Sequence, residues 1–266
     1  QGGVLTPREL IDISRVLYVA RRTKAYLQEV SEECTVLSEY QEKLLTAKAL
    51  EDKINGAIIS EEEIADDAST ELNTIRRKMK QLNGKIKDTL NSMIHSAHYK
   101  KFLQDAIVTM RSDRYVIPVR AENRSDVPGI VHDTSATGQT LFIEPMGVVN
   151  ANNEIRDLKA AEKREIEKIL LELTSAVVEN SHEIFVDFLA IADLDFIFCK
   201  GKLSIDMNAT EPVLNMDGIV NLKRARHPLI DKDKVVANDI KFGKETDTLV
   251  VTGPNTGGKT VTLKTV

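Results

Sequence analysis

Thr248-Leu249-Val250-Val251-Thr252, then Gly253-Pro254-Asn255-Thr256-Gly257-Gly258-Lys259-Thr260, then Val261-Thr262-Leu263-Lys264-Thr265-Val266 reads as strand, glycine loop and helix start. The loop fits G-x-x-x-x-G-K-[ST], the pattern of a phosphate-binding P-loop. Glycines let successive backbone N–H groups turn inward around phosphate oxygens. Lys259 has the reach for β- and γ-phosphates, Thr260 carries a hydroxyl that can ligate Mg²⁺, and the following helix offers its positive N-terminal end. The stretch therefore predicts a nucleotide site at the start of an α/β domain.

A P-loop domain needs further strands, one of them carrying an acid for Mg²⁺ and water. The chain ends at Val266 and begins at Gln1, without an initiator Met. The expectation is a segment of a longer protein that reaches the first step of an ATPase domain and does not hydrolyse nucleotide by itself.

Composition bounds the rest. Charged residues make up 29% of the 266, aromatics 5%, and there is no Trp, which suits long solvated helices better than a thick core. The net charge of −5 argues against a uniformly basic nucleic-acid binder, yet the charge is uneven. Residues 31–73 hold 12 acids against 3 bases, whereas residues 74–101 hold 8 bases against the single acid Asp88. Such asymmetry suits a binding surface and equally suits opposite faces of solvated helices. Cys34 and Cys199 form no metal spacing and read as small hydrophobes in a reducing compartment. No apolar run is long enough to span a membrane, and the expected location is the cytoplasm.

Taken in order, Thr6-Pro7-Arg8-Glu9 is a capping box with proline at the first helical position, opening a helix to about residue 30. A second helical stretch covers about 32–54. Ser60-Glu61-Glu62-Glu63 is another capping box. From it Ile64, Ala68, Leu72, Ile75, Met79, Leu82, Ile86, Leu90 and Met93 recur at helical spacing, predicting one helix over 61–98, roughly 55 Å long. From 105 to 146 the period becomes that of short strands, with Pro118 pointing to an edge or a bulge. Helical period returns over about 150–180, antiparallel to the first long helix, and an apolar helix over 182–204 suits burial at the base. Residues 218–252 read as short strands. The fold class is mainly α with a small antiparallel β insertion: a long helical lever carrying a paddle, followed by the first strands of a P-loop domain.

Ala225-Arg226-His227-Pro228-Leu229-Ile230, Val235-Val236-Ala237-Asn238-Asp239-Ile240 and Gly253–Thr260 together resemble the entry to the ATPase domain of the MutS family. Pro128-Gly129-Ile130-Val131-His132-Asp133-Thr134-Ser135-Ala136 and Thr140-Leu141-Phe142-Ile143-Glu144-Pro145 are similar to its second bacterial paralogue rather than to the mismatch-repair enzyme. The resemblance implies a lever (1–104 and 147–205), a clamp at its tip (105–146) and an ABC-type ATPase domain starting near 206. It implies ATP and Mg²⁺ as cofactors and homodimers that close around a ligand under ATP control. The ligands implied are branched DNA, with suppression of recombination, and collided ribosomes, which the same machinery splits. A nuclease domain near the C-terminus of the family's proteins, the acids that position water and the signature loop all fall outside this chain. By the same resemblance Lys259 and Thr260 contact phosphate and Mg²⁺, Gly253, Asn255, Gly257 and Gly258 shape the loop, and Val235 and Val236 pack the adenine or serve as strand core. His227 reads as part of its His-Pro turn.

On the paddle, Arg111, Arg114, Arg120 and Arg124, with Lys100 and Lys101 just below, are candidate phosphate contacts that position DNA or ribosomal RNA without reading sequence. Ordinary surface charge is the other reading, because Asp113, Glu122, Asp126 and Asp133 balance the four arginines. Two other classes compete with a clamp. A structural ATPase of the SMC/Rad50 kind also has coiled arms, but there the P-loop precedes the coil. A helical scaffold would make no use of nucleotide.

Overall fold

The first helix opens as its sequence dictates. The Thr6 hydroxyl accepts from the Glu9 N–H (3.3 Å), and the Glu9 carboxylate accepts from the Thr6 N–H (2.8 Å), a reciprocal cap that satisfies two orphan donors. The computed structural model describes residues 3–30, 35–246, 248–254 and 257–266. Its helices are α1 (Pro7–Val30), α2 (Thr35–Lys43), α3 (Lys48–Ala57), α4 (Thr70–His95), α5 (Ala97–Lys100), α6 (Met146–Glu179), α7 (Ser181–Met207) and α8 (Lys259–Thr265). Its strands are β1 (Thr109–Arg111), β2 (Arg114–Arg120), β3 (Gly129–Thr134), β4 (Thr140–Pro145), β5 (Val220–Ala225) and β6 (Asn238–Phe242). The chain is mainly helical with a small antiparallel sheet, and it forms two compact units, residues 1–192 and 193–266.

In the first unit α4 and α6 run antiparallel as an arm, about 39 and 51 Å long by helical rise. Two apolar clusters fix that direction. Near the base, Leu72 of α4 meets Ile169 and Leu173 of α6, with Leu10 and Leu17 of α1 and Leu50 and Ile54 of α3. Toward the tip, Ile86, Leu90 and Ile94 meet Val148 and Ile155, together with Ile117, Val119 and Ile143 of the sheet. A polar seam runs from the base cluster toward the tip. Ser69 Oγ donates to Glu165 (2.8 Å), Arg76 Nε donates to Glu162 (2.7 Å), and Lys78 pairs with Glu154 (2.5 Å). Each fully buried Leu or Ile contributes roughly 1.5–3 kcal/mol, so the clusters hold the arm and the seam sets its register.

The long helix starts later than expected, at Thr70. Ile64 and Ala65 are buried, and their backbone is tied to the end of α3 through the Ile58–Ile64 bridge and the Ala65 N–H bond to Ala57 (2.9 Å). Helical geometry over 61–68 would break those ties. Ser69 supplies the cap instead, its hydroxyl accepting from the Leu72 N–H (3.0 Å). The expected helix over 32–54 is likewise divided. At 44–47 the backbone is taken by side chains from elsewhere: Lys24 Nζ donates to the Leu44 carbonyl (2.7 Å), and the Leu45 N–H donates to Asp187 Oδ1 (2.6 Å).

The paddle sheet has strand order β1-β2-β4-β3, all antiparallel. Ser112 and Asp113, both at positive φ (49° and 63°), make a two-residue primed turn between β1 and β2. Pro118 stands beyond the last β1 pair at Val116, where only the Gln104 N–H reaches its carbonyl (3.0 Å). The Leu103–Val119 bridge takes over on the same side directly after it, so Pro118 falls in the gap between two pairings rather than on an open edge, and a residue without an N–H is tolerated there. Gly129 is required by the β3–β4 approach, because a Cβ would lie 2.3 Å from the Glu144 carbonyl oxygen.

Two expectations at the other end differ. Residues 248–252 form no strand: β5 pairs with β6, and the β-branched run, with Leu249, Val250 and Val251 exposed, has no ladder partner among the described residues. The apolar helix expected to be buried is α7. It packs through Ile184, Ala190 and Leu194, but Phe185, Phe188, Phe196 and Phe198 stay 51–63% exposed, as follows for a helix that is apolar all round and covered on one side only.

Asp187 is fully buried on α7, and its Oδ2 and the Oε2 of Glu183 lack hydrogen-bond partners among the described residues. Burial pushes the Asp187 carboxyl above its ordinary value of 3.8; the Leu45 N–H and Lys24 oppose the shift, and Glu183 adds to it. A raised acid costs stability as pH rises through the ordinary value, because the unfolded chain ionises first. Asp187→Asn keeps the acceptor for Leu45 and removes the charge. It is expected to stabilise the fold at pH 7 by on the order of 1 kcal/mol, with the gain vanishing below the ordinary carboxyl range in denaturant titrations.

Candidate functional site

The paddle's phosphate-contact candidates do not share one environment. Arg114 turns inward: Nη1 lies 2.9 Å from both oxygens of Glu144, and Nη2 donates to Asn153 Oδ1 (2.6 Å). Glu144 is fully buried. It also takes the Asn152 amide (2.8 Å) and lies 2.5 Å from His132 Nε2. The pleat explains the meeting: Arg114, Glu144 and His132 come from β2, β4 and β3 on the sheet face opposite Ile117, Val119 and Ile143, while Asn152 and Asn153 come from the start of α6. The arrangement joins the sheet to the arm.

Arg124 also serves its own loop, donating to the Val127 (3.3 Å) and Gly129 (2.8 Å) carbonyls. Arg111 lies over the Phe142 ring (4.1 Å) and pairs with Asp133 (3.2 Å), with its side chain 38% exposed. Arg120, Lys100 and Lys101 are exposed and carry no ion pair among the described residues. They are neighbours, since the Arg120 N–H donates to the Phe102 carbonyl (3.0 Å) and Lys101 Nζ lies over the Phe102 ring (4.8 Å). These three cations face solvent where a polyanion can reach them. Sequence reasoning missed Glu144, His132, Asn152 and Asn153. The available signal was a lone acid inside the apolar run 141–145, which demands a buried partner.

In the second unit, Asn255 lies outside the described residues, as does Thr256. Gly253 (φ 144°) and Gly258 (φ 76°) occupy backbone that L side chains avoid. The Gly257 N–H donates to the Pro254 carbonyl (3.0 Å), and Lys259 and Thr260 form the first turn of α8. The ammonium, hydroxyl and glycine backbone suit a polyphosphate with its Mg²⁺; the Gly257 N–H would have to leave Pro254 to join them. Val235 is half-buried and Val236 exposed, both in the β5–β6 connection. His227 holds its own turn, Nδ1 accepting from the Leu229 N–H (3.2 Å).

No protein-family model matches the chain. Among curated proteins, Endonuclease MutS2 of Alkaliphilus oremlandii is 47% identical over 267 residues, covering all of this chain and 34% of that protein. Endonuclease MutS2 of Clostridioides difficile is 52% identical over 268 residues, again all of this chain and 34% of that protein. That of Caldanaerobacter subterraneus subsp. tengcongensis is 50% identical over 265 residues, 99% of this chain and 33% of that protein. The chain spans about a third of the length of the curated relatives it matches.

The geometry separates arginines that the sequence left equivalent. Arg114→Ala strands a buried carboxylate and is expected to cost roughly 3–5 kcal/mol, whereas Arg120→Gln is expected to stay within about 0.5 kcal/mol. Urea denaturation of the two variants checks the contrast.

Proposed function

Starting from a chain that is MutS2-family sequence over its whole length, we propose that it supplies the lever, clamp and nucleotide loop of an ATP-controlled clamp on branched or mismatched DNA, whose grip suppresses homologous recombination. The observation that supports this best is the paddle itself. A β sheet fixed to the end of a two-helix arm presents Arg120, Lys100 and Lys101 to solvent, unpaired with acids among the described residues, and Arg111, across the β1–β2 ladder from Arg114, is part-exposed. Cations so placed neutralise phosphates without reading bases. Arg114 and Arg124 hold the paddle's shape.

The nucleotide is ATP with Mg²⁺. Lys259 would meet its phosphates, Thr260 the metal, Gly253, Asn255, Gly257 and Gly258 the loop backbone, and Val235 and Val236 the adenine. Bound ATP supplies differential affinity between an open and a closed clamp, which is the only way a ligand moves such an equilibrium. The working form is a homodimer closing on its ligand. The relatives' name carries the word endonuclease; nuclease chemistry belongs to the two thirds of those proteins that this chain does not match. Within it, no group of three or more His, Cys, Asp or Glu among the described residues could hold a metal. No helix among them is long and apolar enough to cross a membrane.

The same phosphate contacts serve ribosomal RNA, so splitting of collided ribosomes is the alternative outcome. The test is binding of the intact protein to a four-way DNA junction and to stalled disomes, with and without ATP. ATP-dependent retention on the junction, lost in Lys259→Ala without loss of folding, is expected. ATP-dependent release of subunits from disomes with no effect on junctions would transfer the function to the ribosome, and Lys259→Ala behaving as wild type on both would overturn ATP control.

A further inference from the structure

We propose that the outer face of α4 is a second phosphate-backbone contact, a track along the arm that leads a nucleic acid toward the paddle; this rests on the nucleic-acid reading of the paddle. Arg77, Lys80, Gly84, Lys87 and Asn91 fall within about 80° of arc at ~100° per residue, on the side away from the core row Ile75, Ile86 and Leu90. The three cations are exposed. None has an ion pair among the described residues, whereas the neighbouring Arg76 and Lys78 are committed to Glu162 and Glu154. Asp88 is the one acid at the edge of this face, and it leaves the face net positive.

Gly84 is the independent observation. It lies mid-helix between Lys80 and Lys87, and a Cβ built there meets nothing within 4 Å. No packing among the described residues explains it, although glycine costs an exposed helix about 1 kcal/mol relative to alanine. A bare helix surface flanked by cations is what close approach of a polyanionic backbone requires. The charge is also graded along the arm. Acids at 61–67 mark its base, the three cations cover about 15 Å of α4, and Lys100, Lys101 and Arg120 continue at the tip. A phosphodiester chain is repelled from the base and drawn to the paddle. An acidic protein would meet the same charges but has no need of the bare strip.

The test compares three forms of the intact protein with wild type on a four-way DNA junction and on a ribosomal RNA helix. They are the track variant (Arg77→Gln, Lys80→Gln, Lys87→Gln), Gly84→Gln, and a paddle variant (Lys100→Gln, Lys101→Gln, Arg120→Gln). The track variant is expected to flatten the dependence of log Kd on log salt by about 2 to 3 units, equally for unrelated base sequences. Gly84→Gln introduces a better helix former and is expected to weaken binding several-fold while leaving the salt slope in place, an effect that unfolding does not produce. Loss on DNA alone or on RNA alone identifies which backbone uses the track. If the paddle variant weakens binding while the track variant and Gly84→Gln bind as wild type, the track is refuted and the paddle reading stands. If none of the three weakens binding, both fall.

Discussion

A carboxylate without solvent exposure, Glu144, is the point on which the first unit depends. Moving such a group out of water is costly unless charge and hydrogen bonds replace the water. The partners must therefore converge: Arg114 from β2, His132 from β3 and Asn152 from α6, with β4 carrying the carboxylate itself. Three strands and the arm meet at one residue. The sheet cannot rotate on α6 without unpairing a buried charge, so the paddle and the arm move as one body.

The arm itself is built in alternating layers. Apolar clusters at base and tip supply the burial, and the seam of Ser69, Arg76 and Lys78 against Glu165, Glu162 and Glu154 admits one register of α4 on α6. Lys159 paired with Asp113 in the β1–β2 turn adds a further tie between α6 and the sheet. With the inward charges consumed in pairs, the cations left over point outward, and they are the ones available to a ligand. Structure and the proposed binding thus draw on different members of the same set of basic residues.

Much of this was legible in the residues. Thr6 and Glu9 announce α1, the three-and-four spacing from Leu72 to Leu90 announces the arm, and the change of period near 105 announces the sheet. The start of α4 was not legible, because Ser60 and Ser69 are both acceptable caps locally, and burial of Ile64 and Ala65 beside α3 decides between them. Residues 248–252 show that β-branched composition is only a propensity and needs a ladder partner to become a strand. The four paddle arginines were indistinguishable in sequence. Burial of Glu144 separates Arg114 from Arg120, and that is a property of three strands meeting, not of any local pattern.

The most direct test is a distance between spin labels at Thr137, in the exposed β3–β4 loop, and Asn73, exposed near the start of α4, in intact protein whose native cysteines, Cys34 and Cys199 among them, are replaced. One narrow distribution, the same with and without ATP and junction DNA, is predicted for a paddle locked to its arm. A broad distribution, or one that shifts with nucleotide, would contradict it.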